Sequence, residues 1–403
     1  MFDQIQPGPA DPIFFLKKTA DEDLDPRKVD VGVGIYRNED GKYQELDVVR
    51  KAKRRLDQLD LGHDYEITTG DAVFLGLAAQ VLFSTHSGLL ESGRVSSVQT
   101  LSGTGACHLG ALLLATNIHP KPKVFVGLPN WGNTVPLFQH VGLETQTYRY
   151  LDPDTKRVDM TSILETLRQA PSGSVFSFQG CCQNPLGADY TEEQWTTIAK
   201  ELKARNHLPF LDIAYQGLGK GLDEDATGVR IITDTCPEAL VCQSFSKNFA
   251  LYGERCGALH VVAKSSETAD NVKDQLRSLI RREFSSSPAY GSRLVKLVLE
   301  DHELRETWVS ELSGMRQRLQ RNREMLYRNL SEVFKTPGDW KHIVEEQGLF
   351  SCLALTKSQC QTLVSQHHIH LPDNGRINLA GLNLGNIEYT ARSIDAVVRK
   401  DTT

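Results

Sequence analysis

Short apolar runs alternate with amphipathic helical segments along most of the chain. The β-rich run at residues 95–100 precedes a helical segment at 107–115, and the run at 174–178 precedes another at 191–202. Thr191 can cap that second helix, because an acidic first turn follows it and suits the helix dipole. Strands alternating with helices of this length indicate βαβ units. We therefore predict an α/β fold with a mostly parallel sheet, whose ligands gather at the carboxyl ends of the strands.

The pattern changes after about residue 303. Residues 304–333 have the periodicity of one long amphipathic helix, and a shorter α+β segment follows. This change predicts a second, smaller domain. The chain contains no Gly/Ser-rich linker and no internal repeat that would mark the boundary.

Composition narrows the class of protein. The chain has 403 residues, of which 40% are hydrophobic and 24% charged, values typical of soluble globular proteins with about two or three domains. The formal net charge of −6 gives no basic footprint for nucleic acid or an anionic membrane. The longest apolar stretch falls far short of the roughly 20 residues of a membrane helix. The first 25 residues lack the features of a targeting segment, so we predict a cytoplasmic protein.

Eight cysteines are too few for a disulfide scaffold in a chain of this length. Cys181 and Cys182 are adjacent and lack the spacing of zinc or redox pairs. We expect buried free thiols in a reducing compartment. The His-rich tract at 367–370 resembles a metal-binding tract, but no acid or cysteine lies at supporting spacing, so we expect a surface strand and no metal site.

A lysine nucleophile beside an anion site is one interpretation of residues 244–255. Lys247 follows an apolar strand, Ser244 precedes it, and Arg255 comes eight residues later. Burial and nearby cations would depress the pKa of Lys247 and permit a Schiff base, while Ser244 and Arg255 held a phosphate. A surface loop with an ion pair is the alternative that the spacing alone favours. An acyl-serine site is rejected, because the Ser-Asp-Asn and Lys-Thr-Gly elements that accompany Ser-x-x-Lys are missing.

Four further segments carry candidate chemistry. Residues 101–106 combine glycines and hydroxyls before a helix, which forms either a phosphate cradle or a plain tight turn. Asp212 ends an apolar strand, where it either caps a helix or holds a proton on a heterocyclic nitrogen. Asn184 and Trp131 follow strands and offer an amide donor and a flat aromatic face, unless both only shape turns.

Together these segments resemble the aspartate aminotransferase family, fold type I enzymes that use pyridoxal 5′-phosphate (PLP). The matching motifs are Ser-x-x-Lys-Asn with Tyr-Gly-Glu-Arg (244–255), Asp-x-Ala-Tyr-Gln-Gly (212–217), Asn-Pro-x-Gly (184–187) and Gly-Arg-Ile-Asn (375–378). Their order and intervals match the family over nearly the whole chain. The resemblance implies an α/β fold with a seven-stranded, mostly parallel sheet and a smaller α+β domain. The implied boundaries are an N-terminal arm at 1–11, a large PLP-binding domain at 44–314, and a discontinuous small domain at 12–43 and 315–403.

The resemblance also implies roles for individual residues. Lys247 would carry PLP as an aldimine and move the substrate proton, Asp212 would keep the pyridine nitrogen protonated, and Tyr215 would hold the ring hydroxyl. The implied cofactor-binding residues are Ser102, Gly103, Thr104, Trp131, Asn184, Asp212, Tyr215, Ser244, Lys247 and Arg255, with Tyr65 from a neighbouring subunit. The implied substrate-binding residues are Gly34, Trp131, Asn184, Arg281 and Arg376.

Two of these arginines determine the implied substrate. Arg376 matches the residue that binds the α-carboxylate, and Arg281 matches the residue that crosses a dimer interface to the distal carboxylate. A bidentate guanidinium at each end would select dicarboxylic amino acids and 2-oxo acids. The resemblance therefore implies a homodimer with shared active sites that exchanges aspartate and 2-oxoglutarate for oxaloacetate and glutamate through pyridoxamine phosphate, by a ping-pong mechanism. A pocket that also accepts aromatic substrates and a catalytically silent homologue are the alternatives.

The chain departs from the family pattern close to the expected cofactor nitrogen. Gln179, Gln183 and Thr134 stand where the family often has histidine, and Arg282 beside Arg281 is a further variation. Glutamine can donate and accept hydrogen bonds but cannot carry charge. These departures do not change the expected cofactor. They leave open how the protein adjusts the electronic properties of its ring.

Overall fold

The computed structural model describes residues 1–8, 12–84, 88–153 and 155–400, with residues 12 and 13 described by their backbone alone. Its α-helices are α1 Pro12–Glu22, α2 Asp47–Gln58, α3 Ala72–Phe83, α4 Gly88–Glu91, α5 Ser102–Asn117, α6 Thr134–His140, α7 Met160–Gln169, α8 Glu192–Ala204, α9 Thr227–Thr235, α10 Ser266–Glu283, α11 Ala289–Glu300, α12 His302–Arg328, α13 His342–Glu345, α14 Lys357–His367 and α15 Ile387–Lys400. Its strands are β1 Val29–Asp30, β2 Val95–Leu101, β3 Val124–Leu128, β4 Thr145–Arg149, β5 Val175–Gln179, β6 Leu208–Ile213, β7 Ala239–Ser244, β8 Cys256–Val262, β9 Phe350–Cys352, β10 Ile369–His370 and β11 Arg376–Asn378. None of the described helices is long and apolar enough to cross a membrane.

The chain divides into two compact units. The larger unit comprises residues 44–318 and 345–348, and the smaller comprises 1–43, 319–344 and 349–403. Assignment of these units as a PLP-binding domain and a small domain stays a prediction. The expected arm at 1–11 also stays a prediction, and its residues 9–11 lie outside the described ranges.

A seven-stranded sheet forms the centre of the larger unit, in the order β2-β8-β7-β6-β5-β3-β4. Strands β3 to β7 pair in parallel, whereas β8 runs antiparallel to both of its neighbours, β2 and β7. Every residue of β5, β7 and β8 is buried, as expected for strands covered on both faces by helices. The predicted mostly parallel sheet is confirmed.

Helix α5 packs closely on this sheet. Its residues Leu109 and Leu113 share a buried cluster with Phe210 of β6 and Leu240 of β7. Gly110 permits the close approach, because a Cβ there would lie 3.0 Å from Phe210 Cε2 and 3.1 Å from Leu240 Cδ2. This packing fixes the start of α5, which follows directly on the carboxyl end of β2.

The structure contains both helices whose limits were predicted, α8 and the long helix of residues 304–333. Thr191 caps α8 as predicted: its hydroxyl accepts from the Gln194 N–H at 3.2 Å, and the Gln194 side chain accepts from the Thr191 N–H at 2.8 Å. The helix predicted at 304–333 is observed as α12 followed by a π-helical turn, Asn329–Val333. The turn closes with a bond from the Phe334 N–H to the Asn329 carbonyl at 2.9 Å.

The smaller unit contains two short sheets, a parallel pair of β1 with β10 and an antiparallel pair of β9 with β11. The prediction of a surface strand at the His-rich tract was wrong, because both residues of β10 are buried. His370 Nε2 lies 2.7 Å from Asp23 Oδ2, and His368 Nδ1 lies 2.9 Å from the same oxygen. Asp23 precedes these histidines by about 345 residues, so spacing along the chain could not reveal the pairing.

The prediction of buried free thiols is confirmed, whereas the reducing compartment stays a prediction. All eight are free, and seven of them are buried, the exception being the half-buried Cys352. Cys181, Cys182 and Asp225 place their potential ligand atoms within 4.8 Å of one another. The Asp225 carboxylate, however, accepts the backbone N–H groups of Gly217, Gly219 and Lys220 at 2.8–2.9 Å, so its oxygens already hold that loop together.

Candidate active site

The predicted cofactor residues meet at the carboxyl edge of the parallel strands. Asp212 lies near the end of β6, Ser244 ends β7, and Trp131 follows β3. Because these strands run in parallel, their carboxyl ends share one edge of the sheet. One cavity at that edge is lined by Ser102, Gly103, Thr104, Trp131, Gln179, Asn184, Asp212, Ala214, Tyr215, Ser244, Ser246, Lys247 and Arg255. The structure thus brings together every predicted cofactor residue except Tyr65.

Three serine hydroxyls form a cluster at one end of this cavity. Ser102 Oγ lies 3.0 Å from Ser244 Oγ and 2.7 Å from Ser246 Oγ, and the Ser246 N–H donates to Ser244 Oγ at 3.2 Å. Ser102 is also the first residue of α5, where unpaired N–H groups and the helix dipole favour an anion. Sequence reasoning missed Ser246, although its hydroxyl lies only two residues after Ser244. Hydroxyls, helix N–H groups and the nearby Arg255 are the donors that a phosphate requires.

The backbone at this end is strained. Ser102 and Arg255 have φ of +63° and +51°, in the left-handed region that costs a residue with a Cβ roughly 1–2 kcal/mol. Arg255 lines the cavity, and its guanidinium donates to the Tyr252 carbonyl at 2.9 Å. At Gly103 a Cβ would lie 3.1 Å from Ser244 Cβ, so a side chain there would crowd the cluster. Strain of this kind concentrates at binding sites.

A carboxyl and an amine line the same cavity. Burial raises the pKa of Asp212 to about 6, although the charge of Lys247 opposes the rise. Burial likewise lowers the pKa of Lys247, Asp212 opposes that change, and the Arg255 cation adds to it. Lys247 Nζ lies 5.2 Å from the centroid of the Tyr215 ring. Lys247 is half-buried in this cavity, and its surroundings favour a neutral, nucleophilic amine over the surface lysine of the alternative interpretation.

Tyr215 and Asn184 form a polar pair in the same cavity. The Asn184 amide donates to the Tyr215 hydroxyl at 3.5 Å, and both residues are buried. A hydroxyl and an amide side by side suit a ligand oxygen, since both can donate to it.

These residues fit PLP. Within the described residues the half-buried Asp212 carboxylate accepts no hydrogen bond, and a carboxylate withdrawn from water without donors is costly. A protonated ring nitrogen would supply the missing cation, the serine cluster would receive the phosphate, and Lys247 would meet the aldehyde carbon. Trp131 offers an aromatic face to the ring.

Four predicted residues do not line this cavity. Tyr65 is 89% exposed, and Arg281 is an exposed residue near the end of α10 whose guanidinium donates to the Ser285 hydroxyl. Gly34 and Arg376 belong to the smaller unit.

Gly34 and Arg376 both contact Phe350. The Arg376 guanidinium carbon lies 4.6 Å from the centroid of the Phe350 ring, and Nη2 donates to the Gly32 carbonyl at 2.6 Å. At Gly34 a Cβ would lie 2.8 Å from Phe350 Cζ. The arginine is thus buried and held in one orientation, as recognition of a carboxylate requires.

A larger cavity of about 600 Å³ lies at the opposite edge of the sheet, where Leu208 begins β6 and Ala239 begins β7. Its lining is mainly apolar and contains none of the predicted site residues. Size alone would select this cavity, whereas Lys247, Asp212 and the three serines line the smaller one.

The model of the family "Aminotransferase class I and II" matches residues 26–394. Aminotransferase tasG of Hapsidospora irregularis is 44% identical over 99% of this chain and 96% of its own length. Two solved structures each cover 99% of both chains: the PLP-bound aromatic-amino-acid aminotransferase of Burkholderia pseudomallei (37% identity, TM-score 0.96) and the aspartate aminotransferase of Saccharomyces cerevisiae cytoplasm (38% identity, TM-score 0.95).

Proposed function

The chain belongs to the class I and II aminotransferases, and we propose that its reaction moves the amino group of L-aspartate to 2-oxoglutarate. The products are oxaloacetate and L-glutamate, formed in two half-reactions of a ping-pong mechanism. The enzyme has the fold of the type I PLP-dependent transferases and uses PLP as its cofactor. The observation that carries the proposal is the cavity that combines Lys247, Asp212 and the serine cluster.

Each group in the cavity has a proposed task. When bound, PLP supplies an electron-accepting ring that takes up the electron pair left as the substrate Cα loses its proton. Lys247 Nζ removes and returns that proton, which its lowered pKa favours. Asp212 holds a proton on the ring nitrogen, while Tyr215 and Asn184 orient the ring oxygen. Trp131 lines the cavity and would offer its aromatic face to the ring.

The phosphate is bound at the start of α5 in this proposal. The groups involved are Ser102, Gly103, Thr104, Ser244 and Arg255. Ser246 joins them, because its hydroxyl already bonds to Ser102. Tyr65 of a second subunit completes the set by resemblance to the family.

Substrate choice rests on Arg376 and Arg281. By resemblance, Arg376 binds the α-carboxylate and Arg281 reaches the distal carboxylate in a neighbouring subunit. The similarity to the yeast aspartate aminotransferase supports this choice. The equally close similarity to an aromatic-amino-acid aminotransferase supports a second candidate, an enzyme that also accepts tyrosine and phenylalanine.

We propose a homodimer with shared active sites. Exposed apolar side chains concentrate between α2 and α3, where Leu59, Leu61, Tyr65 and Ile67 are each at least half exposed. A second copy would cover them and bring Tyr65 to its neighbour's phosphate. A cytoplasmic location also stays a prediction.

Visible spectroscopy with separate additions of aspartate, glutamate, tyrosine and phenylalanine tests the substrate proposal. We expect aspartate and glutamate to convert the cofactor band at low concentration, because two guanidinium groups bind their carboxylates. Tyrosine and phenylalanine should need much higher concentrations. Equal conversion by all four would support the broader candidate instead, and no conversion by any would contradict both.

A further inference from the structure

Gln179 connects the two loops that border the cofactor cavity. Its Nε2 donates to Asn130 Oδ1 and to the Asn184 carbonyl, both at 2.9 Å, and its Oε1 accepts from the Asn184 N–H at 2.8 Å. Asn184 belongs to the loop after β5, and Asn130 belongs to the loop after β3 that carries Trp131. One buried side chain therefore ties both loops together.

The orientation of this amide is determined by its partners. A backbone N–H must meet an acceptor and a carbonyl must meet a donor, so the oxygen and nitrogen of Gln179 fit only one way round. Asn130 Oδ1 also accepts from the Trp131 N–H at 2.7 Å and from Thr134 Oγ1 at 2.9 Å. Gln179 pairs in register with Asp212 across β5 and β6, which brings the network beside the carboxyl.

From these contacts we infer that Gln179 is a positioning residue for the cofactor, acting through Asn184. Its amide bonds to both the backbone N–H and the carbonyl of Asn184, and so holds the Asn184 side chain beside the Tyr215 hydroxyl. An imidazole could not make the same hydrogen bonds, because its one donor and one acceptor lie on opposite sides of the ring. The inference rests on the proposed function, in which Asn184 donates to the ring oxygen of PLP.

The test is Gln179→Met, which keeps the side-chain length and removes every hydrogen bond. We expect the pH midpoint of the visible absorbance change of the bound cofactor to rise by about one unit, since a ring oxygen without its donor keeps a proton to higher pH. The dissociation constant for PLP should rise about fivefold, which corresponds to the free energy that one hydrogen bond typically contributes. Gln179→Asn withdraws the amide by one methylene and should shift both quantities the same way, which keeps the test available if the Met variant does not fold.

Gln243→Met is the matched control. Gln243 is also a buried glutamine of the central sheet, and its side chain bonds to the Ala78 carbonyl and to His260 at 3.2 and 3.1 Å. Because consecutive residues of a strand point to opposite faces of the sheet, the Gln243 side chain lies on the other face from Ser244. We expect a comparable loss of thermal stability with an unchanged midpoint and unchanged PLP affinity.

Two outcomes separate this inference from the proposed function. If the unaltered protein binds PLP and Gln179 variants keep its midpoint and affinity, the positioning role is wrong while the proposed function stands. If the unaltered protein shows no cofactor band, the proposed function itself fails. Equal shifts in the Gln179 and Gln243 variants would also overturn the inference, since they would report general destabilisation.

Discussion

At the scale of single residues, the proposed chemistry of the site depends on two groups that need opposite protonation states. Lys247 must lose a proton to act as a nucleophile, and its burial favours that loss. Asp212 must stay ionised to hold a cationic ring, yet burial raises its pKa to about 6. A bound ring cation would resolve the conflict, because it would pair with Asp212, to which the described residues of the protein donate no side-chain hydrogen bond.

This conflict predicts how cofactor binding changes stability with pH. In the cofactor-free protein the raised pKa of Asp212 makes its ionisation destabilising, so stability falls as pH rises from about 4 through about 6. 4′-Deoxypyridoxine 5′-phosphate, which lacks the aldehyde, should therefore raise the melting temperature more at pH 8 than at pH 5. Asp212→Asn should abolish that difference and lower activity about a hundredfold or more. Calorimetry showing the same pH dependence in both proteins would contradict the role of Asp212.

Sequence reasoning located most of this chemistry and missed part of it. Local spacing left the roles of Lys247 and Asp212 open, and only the combined motifs that resemble the aspartate aminotransferase family singled out these residues and Tyr215. Ser246 was missed, and the contacts of Gln179 could not be foreseen, because their partners Ser102 and Asn130 lie 144 and 49 positions away. Local spacing carries no information about such partners.

At the scale of elements, α5 connects packing in the core to the proposed phosphate site. Its middle lies on β6 and β7 through Gly110, and its first residue is Ser102. Periodicity predicted that strands and helices alternate, and capping predicted where α8 begins. Neither signal could predict the strand order or the reversed direction of β8, because pairing between distant strands leaves no local pattern in the sequence.

Gly110→Val should test that connection. The added side chain would meet Phe210 and Leu240, so we expect a loss of about 1–3 kcal/mol in the free energy of unfolding and weaker PLP binding. Gly76→Val in α3 is the control, because a Cβ there meets nothing within 4 Å. Denaturant titrations of both variants measure the difference. Equal, small effects would mean that α5 does not depend on close packing at Gly110.

At the scale of the whole molecule, the proposed dimer makes each active site depend on two chains. Coexpressed Lys247→Ala and Arg281→Ala chains should form mixed dimers in which one site has both residues intact. Random pairing predicts about a quarter of the normal activity toward aspartate, although each variant alone is nearly inactive. Mixed dimers no more active than the better parent would show that Arg281 serves its own chain or neither.

The central claim is that PLP is bound to Lys247. Borohydride reduction of the purified holoenzyme fixes the cofactor onto the lysine that carries it, and mass spectrometry of the digested protein identifies that residue. We expect a phosphopyridoxyl group on the peptide that contains Lys247, and we expect it to be absent from the Lys247→Ala protein. A label on another lysine, or no label in a preparation that shows the cofactor band, would contradict it.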